Sequence, residues 1–121
     1  FYEWEPKEQG RTPHWIFRAD GHPMTFAGIW GAWKDPETGE WTRRFAIVTT
    51  KAEGIISEIH DRMPVALPED LWEPWLDRDL TDPEALVGMV RTIDPDLFME
   101  YAVSPRVNSV KNNGPDLVEP A

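Results

Sequence analysis

Three short stretches hold the side chains that could do chemistry. In "SEIHDRMPVALP", Ser57 to Pro68, His60 and Arg62 stand two residues apart. A histidine can move protons near neutral pH, and an arginine two positions on could clamp a phosphate. In "FYEW", Glu3 lies between Tyr2 and Trp4. Desolvation among aromatics would raise that carboxyl toward proton-transfer duty. "AIVTT" closes with Thr49 and Thr50, one fit to cap a helix and the other to offer a hydroxyl to a ligand. Taken singly, each also reads blandly: a solvated helix end, a strand glutamate facing water, a capping threonine.

The alternatives narrow quickly. The chain has no cysteine, hence no thiolate nucleophile, disulfide or Cys-based metal site. It shows no Gly-rich phosphate loop, no H-E-x-x-H and no G-x-S-x-G. His14 follows Pro13 at a strand start and His22 lies in a turn, so both read as surface residues, and neither a metal nor a cofactor is expected.

These residues need elements to hold them. "FYEW", "HWIFRA", "MTFAGIWGAW", "WTRRFAIVTT" and "LFMEYAVS" have strand composition, and "KDPETGE" between the third and fourth is a hairpin loop. The "FAIV" run predicts a buried strand centre. Thr50 and Glu53 fit a capping box, with Ile55, Ile56 and Ile59 at helical spacing and an end near His60, before Pro64. Short helices are predicted over Leu67–Leu76 and Thr81–Arg91, the second with Thr81 or Asp82 as N-cap and a proline early. Strands first and helices later predict an α+β fold with a mainly antiparallel sheet.

The 121 residues suit one domain or part of one. A net charge of −10 argues against coating nucleic acid by bulk charge. The charge is uneven, however: residues 1–63 hold ten acids and eight Lys or Arg, residues 64–121 twelve and four. A local basic face is therefore expected in the first half, from Arg43, Arg44, Lys51 and Arg62. No apolar run reaches the length of a membrane span. The chain opens on Phe1 directly into a strand, which predicts that a preceding part is missing.

"FYEW", "PHWIFRADGHPMTFAGIW", "FAIVTTKAEGIISEIHDRMPV" and "VNSVKNNGPDLVEP", in that order, resemble the SOS-response-associated peptidase family, whose members sense abasic sites in single-stranded DNA. The resemblance runs over nearly the whole chain. It implies an α+β fold with a barrel-like curled sheet and short peripheral helices. It implies a thiazolidine cross-link between the abasic aldehyde and an N-terminal cysteine, with Glu3 and His60 catalytic. Arg62, Thr49 and Trp4 would contact DNA, and the same site would remove the initiator methionine. The cysteine and an upstream Asn-x-Arg segment are not in residues 1–121, so the chain is expected to be the C-terminal half of the domain, inactive alone. Its implied partners are abasic single-stranded DNA and the missing N-terminal half, in a cytoplasmic bacterial monomer without a membrane contact. The competing reading is a non-catalytic DNA- or protein-binding fragment.

Overall fold

A computed structural model describes all 121 residues. Seven strands alternate with 3₁₀ turns and two short helices, an α+β arrangement with antiparallel pairing. The chain divides into two compact units: Phe1–Met24 with Lys51–Met63 and Asp94–Ala121, and Thr25–Thr50 with Pro64–Ile93.

In the first unit β1 (Tyr2–Pro6), β2 (Arg11–Arg18) and the last strand, β7 (Phe98–Ala102), form one sheet in the order β1-β2-β7. The register sets Tyr2 opposite Trp15, and Trp15 opposite Tyr101. One sheet face therefore carries a row of aromatics, with Tyr2 and Trp15 ring centroids 5.1 Å apart. Ile16 and Ile56 are fully buried in this unit, and Met63, Phe98 and Val103 nearly so. The tail is drawn onto the sheet: the Tyr2 hydroxyl donates to the Leu117 carbonyl at 3.1 Å, and the Tyr101 hydroxyl to that of Val118 at 2.5 Å.

The opposite face corrects the reading of His14 as a surface residue. Its Nδ1 lies 2.6 Å from Glu100 Oε2, its Nε2 lies 3.0 Å from Glu5 Oε2, and only 12% of its side chain is exposed. Three strands in register bury this imidazole between two carboxylates, which neither Pro13 nor strand position announces. Lys7 Nζ is 2.6 Å from the other oxygen of Glu5. The Lys7 hydrogen bond, opposed by burial and aided by His14, holds the Glu5 carboxyl below the usual carboxylate range. A carboxyl depressed in the folded state stabilises above the unfolded value, and the contribution is lost as pH falls through the folded value. We therefore expect Glu5→Gln to lower the urea midpoint at neutral pH, and the gap from the parent chain to close in acid. A gap that is constant with pH would exclude this linkage.

In the second unit β3 (Gly28–Lys34) and β4 (Trp41–Ile47) form an antiparallel hairpin. The loop between them closes by Asp35 N–H to the Glu40 carbonyl at 2.8 Å, with Gly39 at φ 71° where a side chain would be strained. Ala27, Val65 and Leu67 form a small core with Val48, Leu71, Trp72, Trp75 and Val90 packed on it. The helices fall within the predicted ranges: α1 spans Trp72–Leu76, and α2 spans Pro83–Gly88 with Asp82 as the capping acceptor and proline in the first turn. The remaining strands, β5 (Thr49–Lys51) and β6 (Arg62–Pro64), pair with each other.

Three expectations change. The helix from the Thr50–Glu53 box to His60 is a single 3₁₀ turn, Gly54–Glu58, with no side-chain cap. Thr50 is instead spent on β5, and the isoleucines are β-branched and poor helix formers. Gly54 opens the turn at φ 58°, and a Cβ there would come within 3.2 Å of Pro95. The "FAIV" run is not buried: Phe45 is 80% exposed and Ile47 is exposed too. No sheet closes or curls into a barrel, because the strands form ladders of three, two and two. Closure requires a continuous ladder around the ring.

Candidate functional site

His60 follows the 3₁₀ turn, and its backbone N–H donates to the Ile56 carbonyl at 2.9 Å. His60 Nδ1 lies 3.0 Å from the Arg62 backbone N and 3.0 Å from the Arg62 carbonyl oxygen. A neutral ring can accept from that N–H at Nδ1 and keep its proton on Nε2. A protonated ring can donate from Nδ1 to the carbonyl, with Asp61 Oδ1 at 3.3 Å beside it. Both protonation states thus have a local partner without a change of rotamer, which suits a group that must gain and lose a proton. The side chain is 37% exposed, within reach of a ligand.

Trp4 stands 56 residues earlier, yet it lines the same cavity. The cavity holds about 360 Å³ in the first unit, with Arg11, Ser57, His60 and Asp61 also in its wall. Strand pairing explains Arg11, since it sits opposite Pro6 at the end of β1 and β2 that the Lys7–Gly10 turn closes. The indole is oriented rather than loose: its Nε1 donates to Asn108 Oδ1 at 2.7 Å, and its ring lies tilted on Tyr2 at 6.3 Å. An aromatic face, a guanidinium and an imidazole around one opening could take a base, a phosphate and a reacting sugar.

The other sequence-selected residues fall differently. Glu3 is half-buried on β1 opposite His14, and its Oε1 lies 3.1 Å from the Trp4 backbone N. Strand alternation turns Glu3 and Trp4 to opposite faces, and Glu3 is not in the wall of the cavity. Arg62 begins β6 and is exposed. Thr49 begins β5, is exposed, and belongs to the second unit. Arg11 and Asn108 escaped sequence reasoning. The pairing of β1 with β2 could have suggested the first, but no local signal links residue 108 to residue 4.

The fold and cavity define an α+β domain in which a histidine and an oriented indole line one opening. Residues 1–110 match the family described as SOS response associated peptidase (SRAP), and the chain belongs to that family. It is 38% identical over 122 residues to the abasic site processing protein YoqW of Bacillus subtilis, covering 98% of this chain and 53% of that protein. Against the abasic site processing protein YedK of Escherichia coli the identity is 31% over 99% of this chain and 54% of the relative. Against the abasic site processing protein HMCES of Gallus gallus it is 31% over 99% and 41%. A crystal structure of a protein from Bacteroides thetaiotaomicron superposes with a TM-score of 0.83 at 26% identity, over all of this chain and 53% of that one. The chain thus spans about half the length of these relatives. No helix is long and apolar enough to cross a membrane.

Proposed function

We propose that these residues form part of a site that senses abasic sites in single-stranded DNA and traps them covalently. The observation that carries this reading is the meeting of His60 and Trp4 at one cavity. The relatives, all abasic site processing proteins, supply the substrate class.

An abasic deoxyribose is in equilibrium with its ring-opened aldehyde. The amine and thiol of an N-terminal cysteine, supplied from outside these 121 residues, add to that carbon. One C–N and one C–S bond form, the carbonyl C–O bonds break, and the oxygen leaves as water carrying one proton from the amine and one from the thiol, giving a thiazolidine. His60 delivers the proton to the ring oxygen on opening and later assists departure of water. Glu3 moves protons on the same path from the neighbouring strand position. Trp4 stacks on a flanking base, Arg62 takes a phosphate, and Thr49 lines the groove. Removal of the initiator methionine, which would expose the cysteine amine, is assigned to the same residues. The full domain would close its sheet with strands from the other half, giving the barrel-like curl.

The test is a comparison of two polypeptides on abasic oligonucleotide. The 121-residue chain alone, lacking any cysteine, is expected to give no heat-stable adduct on a denaturing gel. The same chain joined to the half of the Bacillus subtilis relative that it does not span, in that relative's own order, is expected to give one. A stable adduct with the short chain, or none with the joined chain, would overturn the proposal.

A further inference from the structure

The cavity that holds His60 has two walls of opposite character. The segment from Ser57 to Asp61 brings Glu58 and Asp61 beside the histidine, while β1 and β2 bring Trp4, Pro6 and Arg11. The two acids repel a phosphate, so a nucleic-acid backbone entering here is drawn to the strand wall. Arg11 is the cation on that wall.

Register fixes where Arg11 stands. Trp4 pairs with Pro13, and Pro6 with Arg11. Directly opposed residues share a sheet face and the faces alternate along each strand. Trp4, Pro6, Pro13 and Arg11 therefore lie on one face, with Glu3, Glu5 and His14 on the other. Arg11 is the diagonal neighbour of Trp4, roughly 7–8 Å away. That is about one nucleotide of an extended single strand. The backbone of Arg11 is held at the foot of a tight turn, in which Gly10 has φ 83°. Its side chain is exposed and uncommitted. Arg18 and Arg106, in the same unit, are tied to Asp20 and Asp116 at 2.6 and 2.7 Å. Glu5 lies on the far face, and its two oxygens are taken by Lys7 and His14. Arg11 thus keeps its planar fork of donors for a ligand.

We infer that Arg11 grips the phosphate adjoining the base that stacks on Trp4. The inference rests on the reading of Trp4 as a stacking platform for single-stranded DNA. It adds a phosphate contact separate from Arg62, which is not in the cavity wall. It also sets the strand's backbone on the β1–β2 side and its sugar toward His60. The site then demands a linked nucleotide beyond the stacked base.

The test uses the joined chain described above and two probes. On undamaged oligothymidylate, Arg11→Gln is expected to weaken binding about tenfold and to flatten the log–log salt dependence by about 0.7, the step for one phosphate of a single strand. Arg11→Lys keeps the charge and should restore most of that slope. On abasic oligonucleotide, one uncharged methylphosphonate linkage is moved along the strand. At a single position it should raise the half-saturating concentration for cross-linking about tenfold in the parent and no further in Arg11→Gln. A residue that merely supported the fold would weaken every position alike. Both variants should melt with the parent, because the side chain is exposed. A parental salt slope in Arg11→Gln would overturn the inference, as would methylphosphonate penalties that match the parent's at every linkage. A joined chain that binds oligothymidylate but forms no adduct counts against the abasic-site reading alone, and the salt slope still decides Arg11.

Discussion

His60→Ala in the joined chain is expected to slow cross-linking to abasic single-stranded DNA by about 10²-fold or more, the usual contribution of a general acid–base residue. The expectation follows from the two settings of Nδ1. In the proposed mechanism the imidazole would exchange a proton with substrate at Nε2, while the Arg62 backbone beside Nδ1 can partner either charge state. Ring opening and loss of water both need such an exchange. Glu3→Gln should slow the reaction as well and leave non-covalent DNA affinity nearly intact. The double variant should lose less than the product of the two single losses, because both groups act on one proton path. Glu3 and Trp4 turn to opposite faces of β1, so the Glu3 arm carries a specific risk. If Glu3→Gln reacts like the parent while His60→Ala does not, the histidine acts without that carboxylate. Single-turnover rates for the four proteins decide among these outcomes, and parental rates in both single variants would end the catalytic assignment.

The second large effect concerns stability. Ile56 is fully buried, and its carbonyl accepts the His60 N–H that ends the 3₁₀ turn. Ile56→Ala removes three carbons from a closed core and should cost about 3 kcal/mol, with Ile56→Val near 1 kcal/mol. For a chain of this size the alanine variant should lower the urea midpoint by roughly 2 M. A cost below about 0.5 kcal/mol, the range of surface substitutions, would mean the residue is not packed as described. The turn that Ile56 anchors also aims His60, so the alanine variant should lose cross-linking rate even where it remains folded. The valine variant should keep most of it.

How much of this was legible depended on the range of each signal. Turn chemistry is local, so the Asp35–Glu40 loop with its Gly39 and the Asp82–Pro83 helix start could be read directly. The Thr50–Glu53 pattern was local too, but Thr50 was claimed by the β5–β6 ladder, a competition between distant segments that the pattern does not contain. The "FAIV" run was read as buried because apolar residues usually find cover. Here its strand has only β3 beside it, and both faces stay wet. His60 stands out in its motif, but nothing local in the sequence shows that its Nδ1 lies against the backbone of Arg62. His14 illustrates the limit most clearly. Its carboxylate partners stand at positions 5 and 100, and only the register of three strands reveals them.

The bond from Trp4 to Asn108 joins residues 104 positions apart, and Tyr2 reaches Leu117 across 115. A ribosome makes β1 before these partners, adding about 5–20 residues per second. The indole therefore waits several seconds of synthesis for the side chain that orients it, longer than most single domains need to fold. Assembly of the cavity is thus timed by translation of the tail, and a nascent chain stalled before Asn108 would display β1 without an oriented tryptophan.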